Sequence, residues 1–372
     1  MRVAIISKTF VAETAQRQLE WLARQPNLDL TLITPPAWRS DDGRLLPFTP
    51  RYTQGYQVHP LPIIFNGHYH FYLYRGLYRT LRALKPDLVH IDEEPYNPAG
   101  AQAQRAAQRL HVPTVFVAWQ NLYRAYPLPF AWLEQYNYRW MAYLIAGNAG
   151  AGEVARRKGY TGPLSVFSVH GIDPDLYHPL PRRERTADDG VFVVGYLGRL
   201  VLYKGTGLLI EAQAGLPDFC RLRFIGAGPD EATLRGLAEA KGVANRVEFR
   251  PAVATSEVPQ ALVELDVLAA PSLTQPNWAE QFGRVLIEAL ACGVPVVGSD
   301  SGEIPQVIGD AGIITPEGDV VALREALLSL ATNPVRREEL AQRGRARALE
   351  RFTQEQVAHK IAEVYRSIWA GA

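Results

Sequence analysis

The sequence predicts an α/β fold: two doubly wound, Rossmann-like domains facing each other across a cleft. Three observations lead there. Short apolar runs rich in β-branched residues alternate with segments of helical period along nearly all of the chain. These runs are apolar on both faces, as strands must be in a parallel sheet covered by helices on each side. The alternation stops at Asp173–Gly190, "DPDLYHPLPRRERTADDG", a stretch rich in proline and charge that suits a linker, and then restarts. At 372 residues the chain is also longer than one ordinary core supports. The expected division is a first domain over 1–176, a second over 177–352, and a final helix over 353–372 that packs back on the first.

In the first half the strand candidates are "RVAIIS", "LDLTLIT", "PDLVHID", "PTVFVAW" and "AYLIAGN", with helices such as "AETAQRQLEWLARQ" and "PAGAQAQRAAQRL" between them. The segment "FNGHYHFYLYRGLYRTLRALK" sets Leu73, Leu77, Leu81 and Leu84 on one helical face and Arg75, Arg79 and Arg82 on another. That second face is either simply solvated or a contact for a phosphorylated or lipid-linked partner, or for a membrane surface. In the second half the strands are "FVVGYLG", "LRFIGAG", "RVEFRPA", "DVLAAPS", "VPVVGSD" and "AGIITP". "FGRVLIEALAC" reads as a helix that stops before Gly293 and Pro295. The arginines from Arg336 to Arg351 are interleaved with Glu338, Glu339 and Glu350, the mark of a solvated helix. The last helix, "QEQVAHKIAEVYRSIW", is amphipathic and needs a surface for Val357, Ile361, Val364 and Ile368.

Composition removes several function classes. A net charge of +1 gives no strong pull on nucleic acid and leaves at most a weak peripheral contact with membrane. Cys220 and Cys292 lie far apart without metal-ligand spacing and read as buried, reduced residues. The opening "MRVAIISKTF" has the pattern of a strand rather than a signal peptide, and no run approaches the roughly 18 apolar residues of a membrane span. The expected location is cytoplasmic.

The chemistry concentrates in "AEQFGRVLIEALACGVPVVGSDSGEIPQ". Glu280 stands just before the predicted helix and Glu288 two turns in, about 12 Å apart along its axis at 1.5 Å per residue. Paired carboxylates of glycosidases stand roughly 5–9.5 Å apart, so these two do not share one reacting bond. They suit the two ends of an extended ligand, with the helix N-terminus at Phe282 and Gly283 offering N–H groups to an anion between them. A nucleotide-diphosphate sugar has that shape. The competing reading is a helix-capping Glu280 and a solvated Glu288.

The pattern E-x-F-G-x-x-x-x-E followed by A-x-G-x-P-V-V-x-S-D-x-G resembles family 4 of the retaining glycosyltransferases, which have the two-domain GT-B architecture. "GYLGRLVLYKGTGLLIEA", "LRFIGAGP", "VLAAPS" and "GEIPQVIGDAGIITPEGD" follow the family's order, and "PDLVHID" and "VFSVHGIDPDLYHP" extend the likeness into the first half. The resemblance implies that Arg199 and Lys204 neutralise the donor diphosphate, and that Glu288 binds the ribose hydroxyls. It implies that Glu280 and the backbone of Phe282, Gly283 and Arg284 hold the donor sugar. Gly198, Gly226 and Gly228 would line the nucleoside pocket, and "RPAVATSEV", with Val253, would meet the base through the main chain. Two cations at a departing phosphate stabilise the transition state, and no Asp-x-Asp stands beside the motif, so neither metal nor cofactor is expected. The partners implied are the nucleotide-sugar donor and a hydroxyl acceptor, lipid-linked or saccharide.

The chain departs from the family at the acceptor side. The first loop, "SKTFVAETA", lacks the usual adjacent glycines, leaving Lys8 or Thr9 in their place. The usual histidine after the fifth strand is absent from "VAWQNLYR", which makes Trp119, Gln120 and Asn121 candidates. His170 stands where an asparagine is usual. His90, at the end of "DLVHI", with Glu93 and Glu94 beyond it, could orient or deprotonate an acceptor hydroxyl; a satisfied strand-end histidine beside an acidic loop is the alternative.

Other readings fit less of the chain. A nicotinamide dehydrogenase wants G-x-G-x-x-G, but "GAGPDE" has Glu231 at the third glycine. "GRLVLYKGT" is no phosphate-binding P-loop, since Tyr203 precedes Lys204. A two-domain solute-binding protein does not need Arg199, Lys204 and both glutamates. A sugar-nucleotide epimerase or a phosphorylase of the same architecture is the nearest rival.

Overall fold

The computed structural model describes residues 1–40, 43–181 and 190–370. The chain divides into two compact units: Met1–Gly171 together with the segment from Gln354 onward, and Ile172–Thr353. Of the stretch expected to link them, 182–189 lies outside the described residues. Its beginning is turned and partly buried, with the Leu176 and Tyr177 N–H groups both donating to the Asp173 carbonyl.

The first unit is built on a seven-stranded sheet, every pairing parallel, in the spatial order 164–166, 143–146, 114–118, 88–91, 2–6, 29–34, 56–60. Successive side chains of a strand point to opposite faces, and the cores follow that period. Ala4, Ile6, Val89, Ile91 and Phe116 pack on one face with Leu77, Leu81, Ala103 and Ala107 of the flanking helices. Val3, Ile5, Leu88, Val115 and Val117 pack on the other with Leu19 and Leu22 of helix Glu13–Ala23.

The C-terminal helix Gln354–Ala370 joins that second face. Val357, Ile361 and Val364 are buried there and Ile368 partly so, as the amphipathic pattern requires. Each contributes roughly 1.5–3 kcal/mol by leaving water. Two strands of this sheet, Tyr56–Pro60 and Leu164–Val166, and the small antiparallel pairs 37–39 with 45–47 and 63–64 with 73–74, lay outside the sequence reading.

The second unit holds a six-stranded parallel sheet in the order 247–250, 220–225, 192–197, 267–270, 296–299, 313–315. Counted along the chain this is 3-2-1-4-5-6, the doubly wound order, which reverses direction between the first and fourth strands. The first unit reverses in the same way, between strands 2–6 and 88–91. At each reversal the loops leaving the two central strands diverge to opposite faces, and a crevice opens beyond the strands' carboxyl ends. Among the described residues no helix is long and apolar enough to cross a membrane.

Candidate active site

In the second unit, the strand Phe192–Leu197 runs into Gly198-Arg199-Leu200, and the neighbouring Cys220–Ile225 runs into Gly226-Ala227-Gly228. The two loops lie backbone to backbone. Leu200 N–H donates to the Ala227 carbonyl at 3.0 Å. A Cβ at Gly226, whose φ is +155°, would stand 1.8 Å from the Gly198 carbonyl oxygen, and one at Gly228 would stand 2.1 Å from that of Leu200. Only glycine permits this approach. Beside it opens a cavity of about 190 Å³ lined by Gly198, Arg199, Gly226, Ala252, Val253 and Val258. Four residues drawn from three separate motifs, Gly198, Arg199, Gly226 and Val253, thus share one wall. The Arg199 side chain is exposed, while its carbonyl is held by the Tyr196 hydroxyl at 2.7 Å.

Lys204 ends the short turn Leu202–Lys204. Its Nζ lies 2.6 Å from Glu280 Oε2 and 4.5 Å from the centre of the Trp278 ring, which packs on Tyr203. The lysine and the glutamate, 76 positions apart, are therefore direct partners. The Glu280 backbone is fixed too, its carbonyl accepting the Glu303 N–H at 3.0 Å. Burial, and then the Glu280 charge, raise the Tyr196 hydroxyl above the usual tyrosine range.

Helix Arg284–Ala291 begins at Gly283, which adopts φ +76° at the N-cap. No side chain caps the helix, so Glu280 is not its cap. Nor is Glu288 solvated: it is buried, and its Oε1 takes both the Arg284 Nε at 2.8 Å and the Tyr177 hydroxyl at 3.1 Å. Both bonds fall on one oxygen of the carboxylate. Phe282 turns its ring into the unit against Phe352, so only its backbone is offered outward. Neither Tyr177 nor Trp278 is legible in the sequence: Tyr177 sits in the proline- and charge-rich stretch with a linker's composition, and nothing in "QPNWAEQ" ties Trp278 to Lys204.

In the first unit the switch point carries a second set of groups. Ser7 Oγ donates to Asp92 at 2.6 Å, and Lys8 Nζ lies 2.9 and 2.7 Å from the two carboxylate oxygens of Glu93. Glu93 also accepts from the Tyr72 hydroxyl and from Asn97 Nδ2. Rings of Trp38, Tyr69 and Tyr72 stand 5.1–5.7 Å from the same ammonium. Burial, the largest single influence, would lower the Lys8 ammonium; the Glu93 charge and hydrogen bond, with smaller help from Tyr74 and Asp92, together hold the group above the usual lysine range.

Glu94 Oε1 accepts the N–H groups of Trp119 at 2.8 Å and Gln120 at 3.1 Å, and burial pushes its carboxyl up to about 7. Trp119 stacks on His170, ring centres 4.4 Å apart, so two departures from the family pattern touch each other. Gln120 Nε2 donates to the Leu122 carbonyl at 2.8 Å, and Asn121 packs against Gly150. His90 is buried, its Nδ1 bonded to the Tyr365 hydroxyl at 2.6 Å, and burial pulls its imidazole down to about 4. A neutral histidine tied to the C-terminal helix matches the strand-end alternative.

Residues 180–347 match the family model described as glycosyl transferases group 1, and residues 11–169 match a glycosyl transferase 4-like domain. A phosphatidyl-myo-inositol mannosyltransferase of Mycobacterium leprae is 32% identical over 241 residues, covering 60% of this chain and 60% of that protein. A GDP-mannose-dependent alpha-(1-6)-phosphatidylinositol monomannoside mannosyltransferase of Mycolicibacterium smegmatis is 34% identical over 207 residues, 52% of this chain and 54% of that protein. These matches span little more than half of the relatives' length. Among solved structures, Anabaena HepE in complex with UDP superposes with a TM-score of 0.74 at 19% identity, covering 99% of this chain and 100% of that one. A sucrose-phosphate synthase from Thermosynechococcus elongatus does so with 0.73 at 19%, covering both chains fully. At these identities the likeness is one of fold.

Proposed function

The chain belongs to the family 4 glycosyltransferases, and from that premise we propose that it moves a hexose from a UDP- or GDP-linked donor to the hydroxyl of a lipid-linked or saccharide acceptor. The configuration at the anomeric carbon is retained. The observation that supports the reading most is that the second unit's switch point, where the doubly wound order leaves room for a ligand, carries both the cavity lined by Gly198, Arg199, Gly226 and Val253 and, after the same strand, the Lys204–Glu280 pair. The nucleoside occupies the cavity between Gly198, Gly226 and Val253. Glu288, already fixed by Arg284 and Tyr177, takes the ribose hydroxyls. The diphosphate draws Lys204 from Glu280 and meets Arg199, while the released Glu280 carboxylate accepts from the donor sugar's hydroxyls. In the reaction the bond from the anomeric carbon to the β-phosphate oxygen breaks, and the acceptor oxygen bonds to that carbon from the same side. The acceptor proton passes to the departing phosphate, whose growing charge the two cations stabilise. No metal is required for this neutralisation.

The acceptor side falls to the first unit, where Lys8, Glu93, Glu94, Trp119 and Gln120 lie near the carboxyl ends of the central strands. The relatives named for phosphatidylinositol acceptors favour a lipid-linked hydroxyl, and with it work at the inner face of a membrane.

The test is a thermal shift with UDP, GDP, ADP and NAD, each alone, followed by product analysis with the matching sugar donor. A shift with one nucleoside diphosphate that is lost in Arg199→Ala supports the reading and names the base. No shift with any diphosphate, or a shift with NAD alone, sinks it.

A further inference from the structure

Helix Phe130–Trp140 is built inside out. Its two buried residues are Glu134 and Asn137, which face the interior to bond Lys158 at 2.8 Å and the Pro95 carbonyl at 2.6 Å, with Tyr138 partly buried against the core beside them. Its outward side carries Trp132, 74% exposed, and Trp140, 51% exposed, and Leu128 just before the helix is 75% exposed. A surface helix ordinarily does the reverse, burying its apolar stripe. Indole rings left in water need a partner that is apolar yet wet at its edge. Between this helix and its packing neighbour Pro98–Arg109 runs a groove of about 790 Å³, bordered by Leu73, Ala101, Arg105, Trp132, Tyr136 and Arg139.

Charge around the groove is one-sided. The three helices that pack in succession here, Leu77–Leu84, Pro98–Arg109 and Phe130–Trp140, carry Arg79, Arg82, Arg105, Arg109 and Arg139. Their single carboxylate, Glu134, is buried and already paired with Lys158. In a chain whose acids and bases nearly balance, with 39 Lys and Arg against 38 Asp and Glu, this is a strong local excess. Tryptophan at the level of the headgroups and arginine against anionic phosphate are what a peripheral protein presents to a bilayer.

We propose that the Trp132–Trp140 face and the arginines beside it dock on an anionic phospholipid bilayer, the two indoles and Leu128 entering the interface while Arg105 and Arg139 meet headgroup phosphates. This rests on the reading of the acceptor as lipid-linked, and gives that reading a place on the molecule. The site is distinct from the Lys204–Glu280 centre, so the two can fail separately.

The experiment is co-sedimentation with vesicles of phosphatidylcholine alone and of phosphatidylcholine with phosphatidylglycerol, at low and high salt. The wild type is compared with a Trp132→Ala, Trp140→Ala double variant and an Arg105→Glu, Arg139→Glu double variant. All four side chains are outside the core, and melting temperature checks that both variants fold. The expected result is binding to the phosphatidylglycerol vesicles that weakens with salt, and a loss of about tenfold or more in each variant. The thermal shift with the donor diphosphate should stay as in wild type. Absence of binding to anionic vesicles at low salt overturns the proposal, as does equal binding by wild type and both variants. So does a wild-type dimer that the tryptophan variant abolishes, since a second copy would then be the occupant. Vesicle binding without any diphosphate shift would keep the surface and reject the transferase reading.

Discussion

Arg199 and Lys204 differ in what holds them before substrate arrives. Arg199 extends an exposed side chain beside the cavity, whereas Lys204 is already paired with Glu280. Removing either cation should lower transfer by about 10²–10³, the cost of losing one preorganised group at a developing charge. Arg199→Ala should leave the melting temperature within about a degree of wild type, because a surface side chain away from packing contributes little to stability. Initial rates with saturating donor check the first statement and calorimetry the second. Glu288→Gln tests another balance. It leaves Arg284 without its charged partner, so nucleotide affinity should fall while the sugar-transfer step, once donor is bound, changes little. A rise in KM larger than the fall in kcat is the expected signature.

At the scale of elements, the C-terminal helix has the largest consequence. Ile361→Ala should cost about 2–4 kcal/mol, as large-to-small changes in a packed core do, read as a shift in urea midpoint. The same helix carries Tyr365, the partner of His90, and this makes the joint sensitive to pH. His90 titrates near 4 in the folded protein against an ordinary 6.5, so the unfolded chain takes its proton first as pH falls. The stabilisation is present above pH 6.5 and is lost on the way down to 4, about 3 kcal/mol in all. Glu94 runs the other way: its folded carboxyl titrates near 7 against an ordinary 4.5, so its contribution is present below 4.5 and lost as pH rises toward 7. The two slopes oppose each other between 4.5 and 6.5. His90→Gln should therefore be less stable than wild type at pH 7, with the deficit shrinking as pH falls to 4. Urea unfolding of both proteins across that range reads the difference directly; a constant gap would mean that His90 takes up its proton at the same pH in the folded protein as in the unfolded chain.

The same scale shows what the sequence makes legible. Strands such as "RVAII" and "VPVVGS" are visible because both their faces are apolar, and helix 354–370 because its apolar period is regular. Strand Tyr56–Pro60 is hidden because it is a sheet edge with exposed positions and few apolar residues. The motifs of the second unit are legible because glycine, arginine and glutamate recur there at spacings that chemistry demands. The Lys8–Glu93 pair is not, since its members lie 85 positions apart and neither residue type announces the other. Nor does "FAWLEQYNYRW" disclose which face turns inward; only the bonds of Glu134 and Asn137 do.

Considered as a whole molecule, each unit has a sheet of its own and cores on both faces. The groups proposed to bind the donor all belong to residues 172–353. Donor diphosphate should accordingly slow hydrogen exchange in the loops after strands 192–197, 220–225 and 267–270, with stabilisation of about 2.7 kcal/mol at 100 times its dissociation constant. Exchange within the sheet that includes residues 2–6 and 114–118 should not change by more than a small fraction of that. Protection spread equally over both sheets would contradict the assignment of the donor to the second unit.

The return of helix 354–370 to the first sheet also sets an order of events on the ribosome. Residues 172–353 are one uninterrupted stretch and can finish folding as soon as they emerge. The first 171 residues cannot, because Ile5, Leu30 and Val117 await a cover that is translated roughly 200 residues later, about 10–40 s at ordinary elongation rates. During that interval an apolar sheet face stands open beside a growing chain. The half that is made first is the half completed last, and a nascent chain stalled before residue 354 should be held by chaperones where the full-length protein is released.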